Sequence, residues 1–252
     1  EQIITSDTLG SGFNVGGSSN VTDGGSGELY IDASTLTVGG NNAFVAIGNN
    51  GSGRLEITNG GQVVVTDPDM SAQTFVGLDT AGSGTVIVDG SGSLLDVGNE
   101  FFLGQNAAFQ DTGTALVTVR NGGEIRAKTT RLGANAALTG NGTITGDIFA
   151  GAGLVAPGLS PGTLTIDGDF TLDGGVLQLE IGDLLDVSGE ANLTNGTIDL
   201  VLDPNDLLQG LNLSDFFGGQ SDPTFGNDLR LVSSGFNITN FNTNDGSFTA
   251  TQ

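Results

Sequence analysis

Residues 51–65 read GSGRLEITNGGQVVV, and this pattern returns several times along the chain. The stretch holds a Gly-Ser-Gly turn, a strand in which Leu55 and Ile57 alternate with polar residues, an Asn-Gly-Gly turn and a second apolar strand. Alternation with a period of two is typical of a half-buried β-strand, and Gly and Asn tolerate the positive φ angles of tight turns. The stretch therefore predicts two short strands joined by a turn.

A hydrophobic-Gly pair marks the period of the repeat. Its glycines are Gly16, Gly48, Gly77, Gly104 and Gly133, so that successive copies are 32, 29, 27 and 29 residues apart. A third apolar strand leads into most of these pairs. Three short strands and three turns make one triangular coil, and such coils stack about 4.8 Å apart because each strand pairs with its equivalent in the next coil.

The repeats predict an all-β fold, a right-handed parallel β-helix with a C-terminal capping segment. An antiparallel sandwich also has alternating strands, but it does not explain why the same three-strand order returns. Equivalent apolar residues are expected to form ladders inside the helix. The predicted ladders are Leu29/Leu55/Val86/Val117, Ile31/Ile57/Val88/Val119 and Phe44/Phe75/Phe101.

We predict three regions along the chain: an N-terminal edge segment over residues 1–12, helix repeats over 13–202 and a C-terminal cap over 203–252. From residue 134 the strands follow one another more closely, which indicates tighter coils. In the cap, Asp203–Gly210 has an acidic N-cap, an early Pro and a final Gly, a short helix signal. Further predicted cap elements are a helical turn over Ser214–Gly218 and closing strands over Leu229–Val232, Phe236–Phe241 and Ser247–Thr251.

The repeat unit of residues 51–65, returning as Phe75-Val76-Gly77, resembles the repeat shared by autotransporter (type V secretion) passengers and PEP-CTERM surface proteins. Residues 157–170 resemble the autotransporter-associated strand repeat, and residues 183–193 resemble its usual continuation. The resemblance covers about residues 13–202. It implies a parallel β-helix at the cell surface of a Gram-negative-type bacterium, or shed from it, and it implies no catalytic residue.

Neither a translocator barrel nor a PEP-CTERM tail follows the repeats in this sequence. We expect a mature chain from which the export signal and any C-terminal anchor were removed by processing. No stretch has transmembrane length, so membrane insertion is not expected. The net charge of −23, with only 6 Lys and Arg residues, argues against binding to nucleic acid or to an anionic membrane.

Enzymatic activity is not expected, and the sequence assigns no catalytic or cofactor-binding residue. The chain contains no His and no Cys, which removes His-dependent triads, thiol catalysis and the usual zinc sites. The basic residues Arg120, Arg126, Lys128 and Arg131, with Glu124 between them, predict an ion-paired solvated face rather than a lyase groove.

Among 29 acidic residues, pairs with glycosidase-like spacing arise by chance. Neither Asp67 with Asp69 nor Asp183 with Asp186 therefore predicts catalysis. A structural calcium ion stays open as an alternative, since Asp203, Asn205 and Asp206, or Asp67 and Asp69, supply oxygen ligands on turns. A helix N-cap explains Asp203 equally well.

The expected function is a non-enzymatic extracellular structural protein that self-assembles head to tail into a fibre, layer or biofilm matrix. Unblocked strand edges at the ends of a solenoid invite strand addition, through Glu1–Phe13 or Ser247–Thr251. An alternative is an adhesin that binds extracellular polysaccharide, although the chain has no Trp and only Tyr30 as a tyrosine. A polysaccharide lyase or hydrolase, using Arg126 or Lys128, is a third reading.

Overall fold

The structure is a computed structural model that describes residues 2–6, 12–17, 24–67, 70–158, 161–203, 211–219 and 221–251. Nearly all regular structure in these residues is β-strand, and the strands of the main sheet pair in parallel. The pairings form three columns, numbered here 1 to 3, and coil after coil adds a strand to each. The repeats therefore stack as a parallel β-helix, which confirms the predicted fold class.

Each column collects equivalent strands of successive coils. Column 1 contains β3 (Ser26–Asp32), β6 (Ser52–Thr58), β9 (Ser83–Asp89), β12 (Thr114–Arg120), β14 (Ala136–Gly140) and β16 (Leu154–Pro157). Column 2 contains β1 (Gln2–Ser6), β4 (Thr35–Gly40), β7 (Gln62–Thr66), β10 (Leu94–Asp96), β17 (Thr163–Asp167), β19 (Leu184–Val187) and β21 (Phe217–Gly219). Column 3 contains β2 (Gly12–Val15), β5 (Phe44–Ile47), β8 (Gln73–Val76) and β11 (Glu100–Leu103).

Some strands turn a corner without interruption and belong to two columns. Columns 2 and 3 share β13 (Glu124–Leu132) and β15 (Thr143–Ala150). Columns 3 and 1 share β18 (Phe170–Glu180), β20 (Ala191–Val201) and β22 (Thr224–Ser233).

The core is one continuous cluster of apolar side chains inside the coils. In column 1 the register confirms two predicted ladders, since Leu55 lies opposite Leu29 and Val86, and Val117 lies opposite Val86. Leu55, Val86 and Val117 are fully buried, whereas Leu29 in the first of these coils is only partly buried. Full burial of such a side chain stabilises the fold by about 1.5–3 kcal/mol.

The third predicted ladder, Phe44 with Phe75 and Phe101, is wrong. Phe44 lies opposite Gln73, and Phe75 lies opposite Phe102 rather than Phe101. The strands of column 3 are short and carry apolar residues on both sides, so alternation does not reveal which side faces inward.

Coils become shorter in the second half of the helix, as predicted. Arg120 lies next to Asp89 of the preceding coil across 31 residues, whereas Thr118 and Thr139 are neighbours across only 21 residues. The longer coils have room for loops at their corners. One such corner contains Gly77, with φ of 69°, where a Cβ atom would overlap the carbonyl oxygen of Thr114 in the next coil.

The C-terminal end of the helix is covered. A 3-10 helix, Leu213–Phe216, buries its two terminal side chains, and β23 (Asn237–Thr239) pairs with β24 (Thr249–Thr251) in an antiparallel hairpin. Phe236, Ile238, Phe241 and Phe248 pack against the core from this side. None of the helical structure in the described residues is long and apolar enough to cross a membrane.

Parallel stacking extends beyond both predicted region boundaries. β21 and β22 pair in parallel with β19 and β20, so the coils continue past residue 202. β1 and part of β2 fall in residues 1–12, and they pair in parallel with β4 and β5. The helix predicted over Asp203–Gly210 lies outside the described residues, apart from Asp203 itself.

Candidate functional site

The four basic residues of the predicted cluster do not share a groove. Arg120 ends β12 in column 1 and lies 2.8 Å from the carboxylate of Asp89. Arg126, Lys128 and Arg131 all lie on β13, but the register shifts between Arg126 and Thr129, where the strand leaves column 2 for column 3. The cations therefore face different sides of the molecule.

Ion pairing accounts for the charge of Arg126. Its guanidinium donates two hydrogen bonds to Glu124, at 2.6 and 2.9 Å, and this contact lowers the pKa of the Glu124 carboxyl. A carboxylate held ionised by a neighbouring cation is a poor general base at neutral pH. Lys128 is exposed at the corner. These contacts are those of an ion-paired surface.

The two carboxylate pairs named from the sequence do not form either. Asp67 accepts a hydrogen bond of 2.6 Å from Ser71, and Asp69 lies outside the described residues. Asp183 is buried in the turn before β19, where it accepts hydrogen bonds from the backbone N–H groups of Gly162 and Glu180. Burial raises the pKa of Asp183, while Asp186 follows within β19.

The predicted calcium ligands are only partly described. Asp203 is exposed, and Asn205 and Asp206 lie outside the described residues. Within the ranges that the structure describes, no group of three or more acidic, His or Cys residues lies close enough together to hold a metal ion.

The outer side of column 3 carries an aromatic cluster that the sequence did not predict. Phe75, Phe102, Arg131 and Phe149 occupy equivalent positions in four successive coils. The Phe75 and Phe102 rings stack with centroids 5.1 Å apart and an angle of 11° between their planes. Both side chains are buried, although they form a cluster separate from the main core.

A loop over residues 105–112 covers this cluster. The Asn106 side chain holds it in shape, because its Oδ1 accepts hydrogen bonds from the N–H groups of Ala108 and Gln110 at 2.9 and 3.1 Å. The Phe109 ring lies 6.1 Å from the Phe102 ring, yet the Phe109 residue is 58% exposed.

Phe109 has an unusual backbone conformation. Its φ angle is 59°, in the left-handed region that bulky side chains avoid. Such a conformation costs about 1–3 kcal/mol and persists only where the surrounding structure imposes it, most often at binding or catalytic sites. The loop therefore holds an exposed aromatic ring in place at an energetic cost.

Arg131 lies between two aromatic rings. Its guanidinium carbon is 4.9 Å from the centroid of Phe109 and 5.7 Å from that of Phe149, both within the range of a cation–π contact. Its Nε atom lies 3.5 Å from the Glu100 carboxylate. The charge of Arg131 is thus balanced by Glu100, and its planar group packs on the rings.

Three adjoining depressions follow column 3, and together we name them the column-3 groove. The first, of about 290 Å³, is lined by Gln105, Phe109, Asp111, Arg131, Phe149, Gly151, Ala152 and Asp173. The second, of about 480 Å³, shares Asp111 with it and also contains Asn49 and Asp79. The third, of about 350 Å³, shares Leu78 with the second and contains Phe44 and Phe75.

The floor of the second depression contains a buried amide. Asn49 is 4% exposed and donates a hydrogen bond of 3.0 Å from Nδ2 to Asn14. Its Oδ1 atom has no hydrogen-bond partner within the described part of the chain. The groove thus combines aromatic faces with carboxylate and amide groups, the usual lining of sites that bind polar organic ligands.

Fold and groove together define a parallel β-helix with a long surface cleft of mixed aromatic and acidic character. A scan against protein-family models found no matching family, and searches of curated proteins and of solved structures found no match.

Proposed function

We propose that the protein is a non-enzymatic extracellular structural protein of a Gram-negative-type bacterial surface, a subunit that assembles head to tail. The observation that carries this proposal is the pairing at the N-terminal end. Within the described residues, β1 pairs only with β4, β2 only with β5 and β3 only with β6. Each column therefore begins with a strand that has one partner and one open edge.

The direction of the backbone groups in β3 is set by two hydrogen bonds. Ser52 donates to the Gly25 carbonyl at 3.1 Å, and Ala33 donates to the Thr58 carbonyl at 3.2 Å. Since successive residues of a strand direct their N–H and C=O groups to opposite sides, the odd-numbered residues face β6. The even-numbered residues, including Glu28 and Tyr30, direct their backbone groups to the open edge.

The opposite end supplies a matching partner. β24 pairs with β23 in the described residues, and its other edge has no strand beside it. An edge strand of one copy can add to β3 or its neighbours in a second copy, and this contact does not close on itself, so it extends into a filament. The net charge of −23 opposes side-by-side contact of the rods and favours contact at the ends.

Light scattering and electron microscopy of the concentrated protein, with and without millimolar calcium, test the proposal. We expect filaments in wild type and in Glu28→Ala, which removes only an exposed side chain. Glu28→Pro also removes one outward N–H group from β3, so we expect it to remain monomeric with the same far-UV circular dichroism. Monomers alone in wild type, or filaments of Glu28→Pro like those of wild type, contradict strand addition at this edge.

A second candidate function is adhesion to extracellular polysaccharide, and the column-3 groove favours it. Its aromatic rings and polar side chains lie on one outer side across several coils, as a chain-like ligand requires. The third reading, a lyase or hydrolase, has no comparable support, because Arg126 is paired with Glu124 outside the groove.

A further inference from the structure

We infer that the first depression of the column-3 groove binds uncharged sugar units of a polysaccharide, with Phe109 and Phe149 as the stacking platform. This inference rests on the second candidate function, glycan binding, and not on head-to-tail assembly.

The aromatic platform is built rather than incidental. Phe109 keeps a φ angle of 59° and an exposure of 58%, and the Asn106 hydrogen bonds hold its loop closed. If the ring served only to cover Phe102, burial and not exposure would be the favoured outcome for it. An exposed aromatic face held rigidly loses little conformational entropy on binding, and it suits the apolar face of a pyranose ring.

The charge of the depression selects against acidic sugars. Arg131 is the one cation in its lining, and its guanidinium is engaged by Glu100 at 3.5 Å and by the two rings. Asp111 and Asp173 line the same depression. The local charge is therefore negative, so uronate or sulfated units are repelled, whereas sugar hydroxyls can donate to the carboxylates.

Directional polar groups lie beside the rings. Asp111 Oδ1 accepts hydrogen bonds from the Ala134 N–H at 3.0 Å and from the Gln105 amide at 3.4 Å, which fixes the carboxylate beside Phe109. A carboxylate and an amide next to an aromatic face give hydroxyl groups both orientation and specificity. Because the second depression shares Asp111, a bound chain has room to continue along the groove.

Affinity electrophoresis tests the inference. Native gels would contain soluble neutral polysaccharides, namely a mixed-linkage β-glucan, a xyloglucan, a galactomannan and a soluble starch, or polygalacturonate as the acidic comparison. The Glu28→Pro protein serves as the background, after scattering has shown whether it is monomeric, so that assembly and binding are scored separately. We expect retardation by at least one neutral polysaccharide and none by polygalacturonate.

Two groove variants and one matched control separate binding from stability. Phe109→Ala removes the ring, and Phe109→Asn removes it with a residue that tolerates the left-handed region. We expect both to weaken binding about tenfold or more. Tyr30 is also 58% exposed but lies on column 1, so Tyr30→Ala should bind like the background protein.

Every outcome decides the inference. No retardation by any neutral polysaccharide, retardation by polygalacturonate alone, or full binding by a folded Phe109→Asn protein would each overturn it. Filament formation does not enter this decision, since it is scored by scattering on wild type.

Discussion

The coils before residue 134 and those after it share one core but differ in what they carry outside it. In the first part, equivalent residues are separated by up to 31 residues, and in the second by about 21. The same apolar columns run through both parts. The additional residues of the longer coils form corners and loops, including the loop over residues 105–112 that covers Phe102. Coil interior thus determines the fold, and coil excess determines the surface.

The largest expected effect separates the interior from the loop-covered cluster. Phe101 and Phe102 are adjacent and fully buried, but Phe101 belongs to the main core and Phe102 to the outer cluster. Phe101→Ala should lower the free energy of unfolding by about 3–5 kcal/mol. Phe102→Ala should cost less, because the loop over residues 105–112 can settle into the space, and the cost of a cavity depends on such collapse.

Urea unfolding followed by circular dichroism measures both losses. Limited proteolysis provides an independent reading, since Phe102→Ala should expose the loop over residues 105–112 to cleavage while Phe101→Ala should not do so selectively. A loss for Phe102→Ala equal to or above that of Phe101→Ala would show that the outer cluster is as rigid as the core.

The sequence was sufficient for columns 1 and 2 and insufficient for column 3. In column 1, Leu55 and Ile57 alternate with Arg54 and Glu56, so that only one side of the strand can be buried. In column 3, Phe101, Phe102 and Leu103 are all buried, and alternation therefore gives no phase. That is why two ladders were predicted in the correct register and the third was not.

The groove was beyond sequence reasoning for a related reason. Its first depression combines Phe109 from a loop, Arg131 from β13 and Phe149 from β15, and these meet only once the register is known. Arg131 was grouped with Arg120 and Arg126 because they are near in sequence, whereas the corner within β13 separates them. The one available signal was the isolated Phe109 among the polar residues of a loop.

A smaller effect is expected where long coils touch at their corners. Gly77 and Gly235 both have positive φ angles, 69° and 84°, but a Cβ at Gly77 would overlap backbone atoms of the next coil, and one at Gly235 meets nothing within 4 Å. Gly235→Ala should cost about 1 kcal/mol from backbone strain alone. Gly77→Ala should cost more, about 2–3 kcal/mol. Equal thermal midpoints of the two variants would mean that the coils separate freely at this corner.

The smallest expected effect concerns a corner of the short coils. Where the long coils turn with Asn59 or Asn121 at positive φ, the turn before β19 instead uses the buried Asp183 carboxylate. It accepts backbone hydrogen bonds of 3.0 and 2.9 Å from Gly162 and Glu180 and so ties two coils together. The tie has a pH dependence, because burial raises the pKa of Asp183 in the folded protein.

A carboxyl with a raised folded pKa binds its proton more tightly in the folded than in the unfolded chain, so its contribution to stability falls as the pH rises. That loss begins near the unfolded value, about 4, and is complete above the raised folded pKa. Asp183→Asn removes the titration and keeps one acceptor oxygen. The thermal midpoint of wild type minus that of Asp183→Asn should therefore decrease between pH 4 and pH 7. An increase over that range would mean that the two N–H donors outweigh burial, and that the short coils depend on an ionised corner.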